Sequence, residues 1–318
     1  MQHFFSVNDA LNLPLLLKQA FEIKANPFGN QALGKNKTLG LIFFNPSLRT
    51  RMSSQKAAYN LGMNVITMNV GSDGWSLETE DGVVMDGGNA EHIIEAAKVV
   101  SQYCDVIGIR CFAGLKNRAE DDAEKVLKGF IQHATVPVIN LESSTLHPLQ
   151  SFADLITIEE HKKIARPKVV LSWAPHPRAL PQAVPNSFAQ WMLKADVDLT
   201  ITHPKGYELD SQFTAGANIE YDQNKAFEGA DFIYAKNWSS YQSYGEILSK
   251  DPSWTINQAK MDLTNNGKFM HCLPVRRNQI VTDEVIDGKN AIHIQQAANR
   301  VVSIQTVLQN LLQNPAQK

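Results

Sequence analysis

The chain predicts an α/β protein of two domains, each with a mainly parallel sheet flanked by helices. Three observations lead there. The length, 318 residues, is about twice the ~150 of one ordinary domain. Short apolar runs of strand length alternate with stretches of helical period, the signature of parallel sheets. A fresh series of strands also begins after Arg166-Pro167.

In the first half, Asp9 to Lys24 carry Leu and Ala at near-helical spacing, with Asp9 placed to cap. Thr38 to Phe44 is a strand, and the helix that follows runs to about Leu61 and stops at Gly62, a good residue for the left-handed position past a helix end. Met63 to Val70 is the next strand. Between Gly71 and Gly88 lies a polar, glycine-rich segment with no clear period that contains Trp75; long irregular loops are functional or mobile, although a Trp on one commonly folds back on its own domain. Glu91 to Tyr103 is a helix, with Ile93, Ala96, Ala97 and Val100 on one face. Asp105 to Ile109 and Pro137 to Leu141 are strands that deliver Arg110 and Glu142 at their carboxyl ends, where open α/β sheets place ligands.

Pro148 suits the first position of a helix with Leu149, Phe152, Ala153 and Ile156 as its apolar face, and leaves His147 and Gln150 at an exposed start. In the second half, strands are predicted at 168–173, 198–202, 231–235, 268–272 and 291–294, and a last helix near 296–312 buries Val301, Ile304, Leu308 and Leu311 and carries Arg300. Pro175, Pro177, Pro181 and Pro185 stiffen one loop, with His176, Arg178 and Gln182 set between them.

The net charge of -2 and the absence of a basic face argue against nucleic acid as a partner. No apolar stretch approaches the ~18 residues of a membrane span, and Met1 to Phe5 lack a basic region followed by a long apolar run, so a cytoplasmic protein is expected. Cys104, Cys111 and Cys272 suggest neither a disulfide framework nor a zinc site. A dinucleotide-binding Rossmann enzyme would fit the alternation, but no Gly-x-Gly-x-x-Gly turn follows the first strand.

The stretch Phe43-Phe44-Asn45-Pro46-Ser47-Leu48-Arg49-Thr50-Arg51 runs from a strand through a turn into a helix crowded with hydroxyls and guanidiniums. A helix start offers backbone N–H groups and positive dipole, and these side chains add donors at the same point, which suits a phosphate. The bland alternative is an ordinary capped helix with a solvated Arg pair.

Ser47-Leu48-Arg49-Thr50-Arg51, His147-Pro148-Leu149-Gln150 and His271-Cys272-Leu273-Pro274, in this order and with Arg110 between the first two, resemble the aspartate and ornithine transcarbamylases. The resemblance implies a carbamoyl-phosphate-binding domain over 1–147, an amino-substrate domain over 148–294 and a C-terminal helix over 295–318 that returns to the first domain. It implies that Ser47, Leu48, Arg49 and Thr50 cradle the phosphate, that Thr50, Arg110 and His147 donate to the carbamoyl oxygen, and that Gln150 and the main-chain carbonyls of Cys272 and Leu273 hold the carbamoyl amine. Arg300 adds a cation, and Trp75 reaches into a neighbour's site in a homotrimer. An amine attacks the carbamoyl carbon and phosphate leaves, with no covalent enzyme intermediate and no metal or organic cofactor.

The choice of amine is narrower. The Ser-Met-Gly run of ordinary ornithine enzymes is missing, and Ala235-Lys236-Asn237-Trp238 stands in its neighbourhood. The chain is similar instead to the branch that uses ornithine acylated on its α-nitrogen, in which the proline-rich loop takes part in a knotted second domain. In Met85-Asp86-Gly87-Gly88-Asn89-Ala90-Glu91-His92, the position of Ala90 carries Glu in the acetylornithine enzymes, and that Glu would repel a second carboxylate. The resemblance therefore points to N-succinylornithine, with His176, Arg178 and Lys236 facing the succinyl carboxylate and Glu142 and Arg276 on the ornithine portion. N-acetylornithine is the alternative, and a non-catalytic anion-binding protein on the same fold is a more distant one.

Overall fold

A computed structural model describes residues 1–10 and 12–313 of the chain. It forms two compact units: Met1–Ala113 with Ala119–Leu149 and the chain from Arg300, and Gly114–Arg118 with Gln150–Asn299.

The first unit is built from α1 (Leu13–Ala25), β1 (Thr38–Phe43), α2 (Arg49–Asn60), β2 (Asn64–Asn69), the short β3 (Leu77–Glu78) and β4 (Glu91–His92), α3 (Ile93–Tyr103), β5 (Val106–Arg110), α4 (Arg118–Ala123), α5 (Lys125–His133) and β6 (Val138–Glu142). Its main sheet is four-stranded, in the order β2-β1-β5-β6, and every pairing is parallel. β1 and β5 are buried almost throughout, as strands covered on both faces must be. Helix α1 is capped by the side chain of Asn12, not by Asp9. The Asp9 carboxylate instead accepts from Phe5 and Ser6 N–H groups and closes a separate turn; Leu11 of the expected helix lies outside the described residues. Gly62 does end α2, at φ 79°, and the Met63 N–H reaches back to the Ala58 carbonyl at 2.9 Å.

The second unit follows with α6 (Pro148–His161), β7 (Lys168–Trp173), α7 (Ala183–Lys194), β8 (Asp198–Thr202), α8 (Ser211–Thr214), β9 (Asn218–Glu220), α9 (Gln223–Phe227), β10 (Phe232–Lys236), α10 (Gln258–Met261), β11 (Lys268–Met270), α11 (Asp283–Ile286) and the start of α12 (His293–Gln313), whose residues from Arg300 belong to the first unit. Its sheet is parallel and five-stranded, in the order β11-β10-β7-β8-β9. The expected strand at 291–294 does not form. Ala291 makes an isolated bridge to Phe269 and His293 already begins α12, because a four-residue apolar run has no period to distinguish strand from helix start. The short edge strand β9 took its place. Pro185 lies in the first turn of α7, where proline costs little, so the proline-rich loop closes earlier than expected. In α12 the buried position is Val302, with Val301 only half-buried, and Ile304, Leu308 and Leu311 are buried as expected.

Helix α6 departs most from the pattern. Leu149 through Ile158 are all buried, so Gln150, Ser151, Asp154 and Thr157 are interior polar groups, and His147 and Gln150 are 4% and 1% exposed. The exposed helix start predicted for them is wrong. Counting apolar residues locates one face of a helix; it says nothing about what covers the other.

Candidate active site

Ligands of open α/β sheets bind outside the carboxyl ends of the strands, where strand order reverses direction. In the first sheet that point lies between β1 and β5, the strands that lead into Thr50 and end in Arg110. In the second it lies between β7 and β10, which lead into His176 and end in Lys236.

In the first unit, β1 ends at Phe43 and the turn Phe44–Leu48 starts α2 with no side-chain cap at Leu48. The nearest substitute is the Ser47 hydroxyl, which accepts from the Thr50 N–H at 3.3 Å. A pocket of about 480 Å³ opens over this helix start, lined by Asn45, Ser47, Leu48, Arg51 and Asn69 among others. Arg51 lies with its guanidinium 4.7 Å from the Phe43 ring and bonds Asn69, so it is a wall of this pocket, which the sequence reading did not specify.

Beside it is a buried polar cluster. A register shift in the β5–β6 pairing sets Arg110 opposite Glu142, and the two form an ion pair. The His147 Nε2 is 3.2 Å from Glu142 Oε2 and 3.2 Å from Arg300 Nη1; with its proton on Nε2 the ring donates to Glu142, and with the proton on Nδ1 it accepts from Arg300. Thr50 Oγ1 accepts from Arg300 Nη2 at 3.0 Å and lies 3.5 Å from Arg110 Nη1. The Arg110 guanidinium also stacks 4.1 Å from Phe112, whose N–H donates to Asn45. Two guanidiniums and one carboxylate thus meet out of water, with Thr50, Arg110, Glu142, His147 and Arg300 each less than a tenth exposed. Such charges act at low dielectric and are strong when an anion completes them.

The loop holding Trp75 and Ala90 is tied at its base. β3 pairs with β4, Ala90 N–H donates to the Ser76 carbonyl at 3.2 Å, and Trp75 Nε1 donates to Glu91 at 2.8 Å. Trp75 is nonetheless 60% exposed and Val84 81%, and Ala90 is exposed.

In the second unit, the cationic groups Arg178, Lys236 and Arg276 surround His176. Arg276 Nε donates to His176 Nε2 at 3.0 Å, which makes that nitrogen the acceptor and puts the ring proton on Nδ1, 2.9 Å from the Arg178 carbonyl. Burial pushes the His176 pKa down, and the three cations push it further, so the ring is neutral. The neutral imidazole holds the Arg276 guanidinium, and Arg178 and Lys236 lie near enough to act on the ring's charge, an arrangement suited to carboxylates. Gln182 has a scaffolding place, its amide donating to the Ser239 carbonyl at 2.7 Å. Gln150 donates to Asp154 at 2.7 Å, and the Leu273 N–H donates to His271 Nδ1 at 2.8 Å ahead of a cis Leu273–Pro274 bond.

The structure thus gathers Thr50, Arg110, His147, Glu142 and Arg300 into one cluster beside the Ser47–Leu48 helix start, and His176, Arg178, Lys236 and Arg276 into another. Glu142, expected on the amine side, bonds Arg110 and His147. Asn45 and Arg51 stood in the anion-binding stretch without an assigned role, whereas Asn69, Phe112, Asp154 and Gln296 were not expected; of these four, Asp154, four residues after Gln150 on a helix, carried a signal, since that spacing puts both on one face.

The comparisons agree with this geometry. Residues 2–160 match the aspartate/ornithine carbamoyltransferase carbamoyl-P binding domain, and residues 181–311 match the Asp/Orn binding domain of the same family. The chain belongs to the aspartate/ornithine carbamoyltransferase family. Within it, the chain is 58% identical over 316 residues to an N-succinylornithine carbamoyltransferase of Bacteroides fragilis, covering 99% of each chain. It is 37% identical to an N-acetylornithine carbamoyltransferase of Xanthomonas axonopodis, over 95% of this chain and 94% of that one. Among solved structures it is similar to a Glu-to-Ala variant of N-acetyl-L-ornithine transcarbamylase complexed with carbamyl phosphate and N-succinyl-L-norvaline, with a TM-score of 0.92, 35% identity, and coverage of 98% of this chain and 100% of that one.

Proposed function

We propose that the protein transfers the carbamoyl group of carbamoyl phosphate to the δ-amine of N2-succinyl-L-ornithine, giving N-succinylcitrulline and phosphate in arginine biosynthesis. The observation that carries this is the buried Thr50–Arg110–His147–Arg300 cluster beside an anion-suited helix start, at the switch point of the first sheet.

In this reading Ser47, Leu48, Arg49 and Thr50 hold the phosphate with main-chain N–H groups and side chains, and Arg300 adds charge. Thr50, Arg110 and His147 donate to the carbamoyl oxygen. As the δ-amine attacks, that oxygen gains negative charge, and each positioned donor is worth about 3–4 kcal/mol. The Glu142 carboxylate, which pairs with Arg110 and His147, orients those two donors and takes the ornithine portion. Gln150 and the carbonyls of Cys272 and Leu273 take the carbamoyl amine. The attacking amine must be neutral, and since a free alkyl ammonium has a pKa of ~10.4, binding near cations promotes its deprotonation. Catalysis is positioning plus electrostatics.

Succinyl is preferred to acetyl for two reasons. Ala90 presents no charge to a second carboxylate, and His176, Arg178 and Lys236 supply the cationic and hydrogen-bonding partners such a group needs, with Arg276 beside them on the ornithine portion. The crystal structures of N-acetyl-L-ornithine transcarbamylase whose Glu is replaced by Ala, Val, Pro or Ser, each with N-succinyl-L-norvaline, support the same reading. The full assembly is a cytoplasmic homotrimer in which the exposed Trp75 loop enters a neighbour's site, with a knotted second domain. No helix among the described residues is long and apolar enough to cross a membrane.

The test is incubation with carbamoyl phosphate and each of N-succinylornithine, N-acetylornithine, ornithine and aspartate, followed by assay of ureido product and phosphate. Product with N-succinylornithine, matched by equimolar phosphate, is expected. No product with any amine sinks the proposal.

A further inference from the structure

Asp154 is fully buried one helical turn beyond Gln150. Its Oδ1 accepts from Gln150 Nε2 and from Gln296 Nε2, both at 2.7 Å. A carboxylate only accepts, so each amide turns its NH2 toward Asp154 and its carbonyl oxygen away. The Gln296 carbonyl accepts from the His271 N–H at 2.9 Å, and His271 Nδ1 accepts from the Leu273 N–H, so the same carboxylate also anchors the turn His271–Leu273, where Leu273 takes φ 56°. The Tyr234 phenol is fully buried against Asp154 and Cys272, and burial together with the Asp154 charge keeps it protonated.

We infer that Asp154 is a positioning residue that orients the Gln150 carbonyl and the Cys272–Leu273 main chain as acceptors for an –NH2 group, and thereby makes the protein select a carbamoyl over an isosteric acetyl group. This rests on the proposed carbamoyl transfer, in which those acceptors hold the carbamoyl amine. A methyl in place of the amine leaves the acceptors without donors, and a site built around a hydrogen bond rejects such an analogue strongly. The bond to Asp154 fixes which of its two orientations the Gln150 amide takes. A leucine at that position, similar in volume, accepts from neither glutamine and releases both amides, whereas an asparagine could keep one oxygen in the place of Oδ1 and accept from both.

The experiment measures dissociation constants of carbamoyl phosphate and acetyl phosphate by calorimetry on the wild type, Asp154→Leu and Gln296→Met. The wild type is expected to prefer carbamoyl phosphate by about 10²-fold or more. Asp154→Leu should reduce that preference to under about tenfold, with acetyl phosphate binding held within about threefold of wild type. Gln296→Met cuts only the arm to His271 and should lower the preference by at least about threefold, which keeps the inference testable if Asp154→Leu fails to fold. A purely structural role weakens both ligands alike and leaves the ratio unchanged. An unchanged ratio in Asp154→Leu, or in Gln296→Met where the first variant does not fold, overturns the inference. A wild type that does not discriminate, or does not bind carbamoyl phosphate, overturns the underlying reading of the site as well.

Discussion

Removing one hydroxyl from the center of the buried cluster separates its structural part from its chemical part. Thr50→Val keeps shape and volume nearly constant. The hydroxyl it deletes accepts from Arg300 at 3.0 Å, a well-formed bond, and lies 3.5 Å from Arg110, a contact too long to count for much. A hydroxyl that accepts from a guanidinium aims its own proton elsewhere, and in the proposed mechanism that proton goes to the carbamoyl oxygen. A buried charged donor that loses an acceptor costs about 1–3 kcal/mol. At about 2–4 °C per kcal/mol for domains of this size, the midpoint of thermal unfolding falls by ~2–12 °C. The loss of an oxyanion donor lowers kcat by about 10²–10³. Thr50→Ser, which keeps the oxygen, recovers most of both. Calorimetry and steady-state kinetics on the two variants decide the matter. A Thr50→Val enzyme with kcat within tenfold of wild type, or a serine variant as impaired as the valine one, refutes the assigned role.

Three further predictions follow from single sites. Ala90→Glu sets a carboxylate where the proposed function seats a succinyl carboxylate, and such like-charge approach costs several kcal/mol, so kcat/KM for N-succinylornithine should drop by about 10² or more while N-acetylornithine use rises relative to it; an unchanged preference shows that this loop does not select. The His176 pKa is lowered below the ordinary 6.5, so between 6.5 and the lower folded value the unfolded chain binds more protons than the folded one. Stability from this group is complete above pH 6.5 and is lost as pH falls through that window, and urea titrations from pH 7.5 to 5.5 should show a shallower decline in His176→Asn. Burial likewise lowers the pKa of His3, His203 and His293, and their share of the decline persists in that variant. Gly62 has φ 79°, and a Cβ there would come within 2.3 Å of the Gln31 carbonyl, so Gly62→Ala should destabilise by at least about 1–3 kcal/mol, read as a lower urea midpoint at constant m.

What the sequence displayed, and what it hid, follows physical lines. The strands Thr38–Phe43 and Lys168–Trp173 are buried runs with little ambiguity, and Gly62 announced the end of α2, because local conformation alone imposes these choices. The order of strands is another matter, since pairing joins residues far apart; the two switch points that single out Thr50, Arg110, His176 and Lys236 are properties of topology. His147 and Gln150 looked like a solvent-facing helix start because Pro148 and the apolar positions around it say nothing of what covers them, and both are buried. The Arg110–Glu142 pairing needed a register shift between two strands to be seen. Asp154 was hidden for a plainer reason: an acidic residue on a helix reads as solvated until its neighbours show that buried amide groups receive it.

The account stands most directly on one comparison, kcat/KM for N-succinylornithine against N-acetylornithine at saturating carbamoyl phosphate. The uncharged Ala90 and the cations around His176 predict a ratio of about 10² or more in favour of the succinylated amine. A ratio at or below one would contradict the assignment of the acyl group, and no turnover of either amine would contradict the carbamoyl-transfer reading of the Thr50–Arg110–His147–Arg300 cluster.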